Sequence, residues 1–272
     1  VSTQTALLRE ITTHPADDLP RLVYADWLDE NGDPEQAAFV RAAVVDPLLQ
    51  PTEEQGKAWL ATVGVPKANE FEPHFHRGIV EGIDCQSLSP LFEAAPLLFE
   101  LFPIRELLFW WQYKAGLTPN TLKELAEMPG LDRLTTLRLA NYDSPIAYEG
   151  DTAHPWRKFA ACPRLAGLRF FGVDCARLTD ADLEAIAASP VLSGLHTLSL
   201  EQNKFTTTGV RAILVSPHFQ NLKRLSLGGN DGEGFDELEK ELGERFPGTN
   251  PLDLFLEMEW FQLPATNRTS AD

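Results

Sequence analysis

The apolar positions of this chain fall into one short pattern that recurs five times. It reads Ile104-x-x-Leu107-x-Phe109, Leu134-x-x-Leu137-x-Leu139, Leu165-x-x-Leu168-x-Phe170, Leu195-x-x-Leu198-x-Leu200 and Leu222-x-x-Leu225-x-Leu227. The first positions are separated by steps of 30, 31, 30 and 27 residues. Alternation at the end of each copy predicts a short strand, and helical apolar spacing follows over 118–127, 179–189, 206–216 and 234–246. A sixth, degenerate copy, Val80-x-x-Ile83-x-Cys85, lies 24 residues ahead of Ile104 and is followed by a helical stretch over 89–101. Thr179 with Asp180 and Asp182 forms a helix start, while Pro190 and Pro217 close two helices at matching positions. One strand–helix unit cannot bury its own apolar face, so neighbouring units must stack.

The pattern ahead of residue 76 is different. Short helical stretches are predicted over 5–11, from Asp17-Asp18 through Leu28, and from Asp33-Pro34 through Val44. In the second of these, Leu22, Ala25, Leu28, Val23 and Trp27 are expected to form the buried face. The run Pro51-Thr52-Glu53-Glu54 can cap a further helix containing Trp59 and Leu60. The reading is therefore a helical segment with linker over 1–76, repeats over 77–248, and a closing segment over 249–272. In that last part Leu252, Leu254, Phe255, Leu256, Trp260 and Phe261 are expected to cover the end of the repeat core.

These residues resemble two known families. The repeated Leu-x-x-Leu-x-Leu motif with a full helix per unit is similar to ribonuclease-inhibitor-like leucine-rich repeats. That resemblance implies an α/β solenoid, with a parallel sheet on the concave side and helices on the convex side. Asn203 and Asn230, three residues after Leu200 and Leu227, stand where such repeats place a buried Asn; Gln112, Tyr142 and Val173 hold that place in the earlier copies. The run Arg21-Leu22-Val23-Tyr24-Ala25-Asp26-Trp27-Leu28-Asp29-Glu30-Asn31-Gly32-Asp33, with Phe39-Val40-Arg41 after it, resembles a bacterial repeat-companion domain over roughly residues 5–45. Arg77-Gly78-Ile79-Val80-Glu81 looks like the junction in such proteins. The resemblance implies architecture and no known activity.

Charge narrows the choice of partners. The net charge is -17, with 5 Lys and Arg against 13 Asp and Glu over 1–76, 15 against 16 over 77–230, and 3 against 11 over 231–272. Acidic ends thus flank a nearly neutral centre. This disfavours nucleic acid, which needs a clustered basic footprint, and fits a basic protein partner. Cys85, Cys162 and Cys175 are odd in number and lack a metal-binding spacing, so free thiols and a cytoplasmic setting are expected. No run approaches the ~20 apolar residues of a membrane span, and the N-terminus lacks the features of a secretory signal.

Residues alternating with the core leucines should face the concave side. Aligning the copies places Leu108, Arg138, Arg169, Ser199 and Ser226 in one column, and Trp110, Ala140, Phe171, Glu201 and Gly228 in the next. Trp and Arg dominate interface energetics, so Leu108, Trp110, Arg138, Arg169, Phe171 and Glu201 are the candidate partner-binding residues. The alternative is that Trp110, Trp111 and Tyr113 pack on the N-terminal helices. His74-x-His76, with Glu70 and Glu72 nearby, is the one cluster resembling metal ligands, but no third ligand follows. Asp17, Asp18, Asp26, Asp29, Glu30 and Asp33 do not have calcium-loop spacing, and helix capping or ion pairing with Arg21 or Arg41 is the simpler role. The expected function is non-catalytic protein binding, with no cofactor or metal. A metal-dependent or hydrolytic enzyme using His74, His76 and the N-terminal carboxylates, and a self-associating scaffold, are the alternatives.

Overall fold

The computed structural model describes residues 2–111, 117–141, 155–230 and 234–246. Four helices come first: α1 (Thr3–Thr13), α2 (Leu19–Glu30), α3 (Pro34–Val45) and α4 (Glu53–Thr62). Strands β1 (Phe71–His76) and β2 (Ile79–Cys85) follow. Helix and strand then alternate as α5 (Leu88–Leu101), β3 (Glu106–Trp111), α6 (Pro119–Glu127), β4 (Thr136–Asn141), α7 (Pro155–Ala160) and β5 (Phe170–Asp174). The series ends with α8 (Asp180–Ala187), β6 (Thr197–Ser199), α9 (Thr207–Val215), β7 (Arg224–Ser226) and α10 (Phe235–Arg245). All seven strands form one sheet in chain order. β1 and β2 run antiparallel and every later pair is parallel. The protein is therefore a mixed α/β fold, with a mostly parallel sheet. Among the described residues, no helix is long and apolar enough to cross a membrane.

Local chemistry accounts for the boundaries. Thr52 and Gln55 close a capping box at the start of α4, as Thr179 and Asp182 do for α8. Asp33 Oδ1 accepts from Gln36 N ahead of Pro34, which fits the first turn of α3 because it has no amide hydrogen to satisfy. The β1–β2 turn is Arg77-Gly78, with φ of 51° and 81°, the left-handed pair that a two-residue hairpin requires. A side chain at Gly78 would meet Val40 Cα at 2.8 Å, so α3 lies directly against this turn. Arg77 ties the turn down further: its amide donates to Pro47 O at 3.0 Å and its guanidinium to Ala16 O and Asp18.

One hydrophobic cluster runs from Leu8 and Ile11 in α1 to Leu242 and Phe246 at α10. The strand residues Ile83, Leu107, Leu137, Phe171, Leu198 and Leu225 belong to it, together with helical residues such as Leu98, Leu125, Ile186 and Ile213. The helices therefore cover one face of the sheet. The boundary expected at residue 76 falls within the β1–β2 hairpin, and Phe71–His76 contributes a strand of the common sheet.

Two sequence expectations are corrected. In α2 the buried face is Arg21, Tyr24, Ala25 and Leu28, whereas Leu22 and Val23 are exposed and Trp27 is half-buried against Tyr24. Burying Arg21 turns the helix by roughly one residue from the phase that its aliphatic side chains alone would select. In β5 the pattern slides by three residues. Leu137 lies opposite Phe171 and Leu139 opposite Val173, so the third copy reads Leu168-x-x-Phe171-x-Val173. Helix α7 lies ahead of it, with Trp156, Phe159 and Ala160 buried. Residues 142–154, and the expected C-terminal cap, lie outside the described residues.

Candidate functional site

The face of the sheet opposite the helices carries side chains that alternate with the core positions. With the observed register, one row runs Asp84, Leu108, Arg138, Gly172, Ser199, Ser226. Trp110, Ala140, Asp174, Glu201 and Gly228 come two residues later in their strands or just past them. Hydrogen bonds and ring contacts connect this face across all seven strands. His74 Nε2 on β1 lies 3.0 Å from Asp84 Oδ1 on β2, and Asp84 Oδ2 accepts from Trp110 Nε1 on β3 at 3.4 Å. The Arg138 guanidinium on β4 stands over the Trp110 ring, 5.0 Å from its centroid. Arg138 Nε donates to Asp174 Oδ2 on β5 at 2.7 Å. Asp174 Oδ1 accepts from Ser199 Oγ on β6 at 2.7 Å and from Glu201 N at 2.9 Å. Glu201 Oε1 accepts from Ser226 Oγ on β7 at 2.5 Å.

Gly172 makes room for the centre of this arrangement. A Cβ there would stand 2.9 Å from Arg138 Cγ and 3.1 Å from the Phe170 ring. The Arg138 stem therefore lies flat over the bare backbone of β5 and reaches Asp174. Arg138 and Asp174 side chains are each 1% exposed, so their opposite charges interact with little screening. The rest of the face is acidic. Burial alone would depress the pKa of His74, but its hydrogen bond and charge contact with Asp84, and the charges of Glu106 and Glu72, hold it above 6.5. The Cys175 thiol is pushed up to about 12, by burial first and then by Asp174 and Glu201. The structure thus brings together an acidic face, with a half-buried indole held edge and face by Asp84 and Arg138.

Of the six residues proposed from sequence, four share this face. Leu108, Arg138 and Glu201 are buried and Trp110 is half-buried. Two do not belong to it. Phe171 is 0% exposed and packs in the core near Phe159. Arg169 precedes β5, is exposed, and donates to Gly194 O at 2.9 Å. Both were misplaced by the three-residue slip in β5, which also hid Asp174. With the register known, Asp174 is recognisable as the residue opposite Ala140. Val173, placed in the Asn column, gives way to Ala176, whose amide donates to Asn203 Oδ1 at 3.0 Å.

His74 and His76 do not converge on one point. His74 pairs with Asp84, whereas His76 Nδ1 lies 3.3 Å from Glu81 Oε1, beside Arg21. Among the described residues, no group of three or more His, Cys, Asp or Glu is arranged to hold a metal ion. Arg41 pairs with Asp26 and Asp29, each at 2.7 Å, and Asp33 caps α3. These carboxylates therefore have structural partners. Cys85, Cys162 and Cys175 are free thiols.

No family model matches the chain, and no curated protein does. Among solved structures it is similar to a structural-genomics protein from Bacteroides fragilis, at 20% identity and a TM-score of 0.44. The similarity spans 63% of this chain and 52% of that one.

Proposed function

We propose that this protein is a non-catalytic protein-binding module. In this reading the strand–helix units are leucine-rich repeats forming a short solenoid, and the N-terminal helices are a repeat-companion domain. The setting is cytoplasmic. The motif spacing, the sequential parallel sheet and the Asn203–Asn230 contacts support the architecture. Asn203 Oδ1 accepts from Ala176 N and Leu178 N, each at 3.0 Å, and its own amide donates to Asn230 Oδ1 at 2.7 Å.

The observation that carries the binding assignment is Trp110. Its indole is half-buried on the face away from the helices, held by Asp84 at 3.4 Å and stacked on Arg138 at 5.0 Å. A preorganised aromatic anchor loses little rotamer entropy on binding. Arg138 acts here as the support for that anchor, because at 1% exposure it offers no contact area of its own. Asp84, Glu106, Asp174 and Glu201 on the same face favour a partner with a basic segment.

The test is affinity capture with the wild-type protein and with Trp110→Ala, followed by mass spectrometry and binding measurements on the captured protein. The expected result is at least about a tenfold loss of affinity with the fold retained by circular dichroism, as for an interface hot spot. A partner that binds Trp110→Ala and the wild type equally would place the interaction elsewhere.

A further inference from the structure

The edge where the parallel strands begin carries a second charge pattern, of opposite sign to the face. The residue just ahead of each strand is fixed by a backbone ladder. Arg105 N donates to Glu81 O, Thr135 N to Arg105 O, Arg169 N to Thr135 O, His196 N to Arg169 O, and Lys223 N to His196 O, each at 2.8 Å. These residues therefore stand side by side on successive strands, spaced ~4.8 Å apart. From β3 to β7 the row reads Arg105, Thr135, Arg169, His196, Lys223, with three permanent cations and an imidazole.

Two further observations separate this row from ordinary surface charge. Among the described residues, Arg105, Arg169, His196 and Lys223 make no ion pair, in a chain of net charge -17. Neighbouring arginines spend both terminal nitrogens on structure: Arg133 on Phe99 O and Phe102 O, Arg245 on Phe219 O and Leu222 O, and Arg164 on Asp132 and Ala126 O, whereas Arg169 spends Nη1 alone, on Gly194 O. The row is also felt within the protein. The pKa of His196 is lowered, by burial first and then by the charges of Lys223 and Arg169.

We propose that Arg105, Arg169, His196 and Lys223 bind an acidic peptide segment of a partner protein along the leading edge of the sheet. The row spans about 19 Å over its five strands, and carboxylates repeating at ~5.4 Å on successive turns of a helix would follow its spacing. A nucleic acid fits less well. The row holds no Trp, Tyr or Phe on which bases could stack, and the strongly acidic remainder of the chain repels a long polyanion more than a short segment. This site is independent of the Trp110 face.

The experiment is fluorescence anisotropy of a fluorescein-labelled deca-glutamate peptide with the full chain at low ionic strength. Saturable binding is expected, weakening as salt is raised and by at least about tenfold in the charge-reversed variant R105E/R169E/K223E. Trp110→Ala should bind as the wild type does. The milder variant R169Q/K223Q, checked by circular dichroism, serves if the triple variant does not fold. In the wild type, saturating peptide should raise the His196 pKa in an NMR titration. Absence of saturable binding, equal binding by folded row variants, an unmoved His196 titration, or tighter binding of a ten-residue oligodeoxythymidylate would each overturn the proposal.

Discussion

Arg138 Nε and Asp174 Oδ2 lie 2.7 Å apart on adjacent strands, and both side chains are 1% exposed. Such a pair is costly to desolvate and more costly to break, since the surviving charge loses its nearest counter-charge in a buried place. Arg138→Ala is expected to destabilise the protein by about 3–5 kcal/mol in urea denaturation. Replacing Arg138 and Asp174 together by Met and Leu should cost clearly less than the sum of the single changes. Additivity in that double-mutant cycle would show that the two residues do not act as a pair.

A second buried ion pair joins the N-terminal helices to the sheet. Arg21, fully buried on α2, donates to Glu81 Oε1 on β2 at 3.3 Å and to Asp17 O at 2.7 Å. Burial lowers the pKa of Arg21, and the charge and hydrogen bond of Glu81 oppose this. Arg21→Ala should cost several kcal/mol, on the order of 3–5, through the loss of the Glu81 pairing and the cavity left by the side chain. The exposed neighbour Leu22→Ala should cost less than about 1 kcal/mol. Thermal unfolding that ranked the two in the opposite order would reject the observed helix phase.

Asn203 satisfies four buried backbone groups at once. It accepts from Ala176 N and Leu178 N, and donates to Val173 O at 2.8 Å and Glu201 O at 3.0 Å. Asn203→Leu removes all four bonds from a position 4% exposed. A loss of about 2–4 kcal/mol is expected, since each buried polar group left unpaired costs ~1–3 kcal/mol before relaxation. Faster amide exchange at Ala176 and Leu178 should accompany it, and unchanged exchange there would contradict the assigned bonds.

His74 makes stability depend on pH. Its folded pKa stands above 6.5, because Asp84 first, then Glu106 and Glu72, outweigh its desolvation. A raised folded pKa means that protonation favours the folded state. The contribution is complete below the unfolded value of ~6.5 and is lost as pH rises through the folded value. Asp84→Asn should lower the His74 pKa and flatten the pH dependence of the melting temperature in that window. An NMR titration of the imidazole in both proteins provides the check.

The strand–helix alternation was legible in the sequence because it rests on local periodicity. The regions read as helical from 89–101 onward agree with α5, α6, α8, α9 and α10 to within about two residues at either end. Thr179, and Pro34 in the first turn of α3, act within a few residues of themselves and stand as expected, and within the run Pro51-Thr52-Glu53-Glu54 the cap is Thr52. Leu108, Trp110, Arg138 and Glu201 could be assigned to one face for the same reason: alternation fixes the side of a strand without knowledge of its neighbours.

Register was decided only by the tertiary structure. Leu165-x-x-Leu168-x-Phe170 and Leu168-x-x-Phe171-x-Val173 both satisfy the apolar pattern, and nothing local chooses between them. The choice is made by hydrogen bonds from Arg169 N and Phe170 N to Thr135 O, 34 and 35 residues away in sequence. That pairing sends Phe171 into the core, releases Arg169 to the edge, and sets Asp174 beside Arg138. The phase of α2 has a similar origin, since a buried arginine becomes acceptable once Glu81 is folded against it. Periodicity determines which elements form and which side each residue takes. Partners for buried charge, and the alignment of one strand with the next, depend on contacts distant in sequence and arise only when the elements pack.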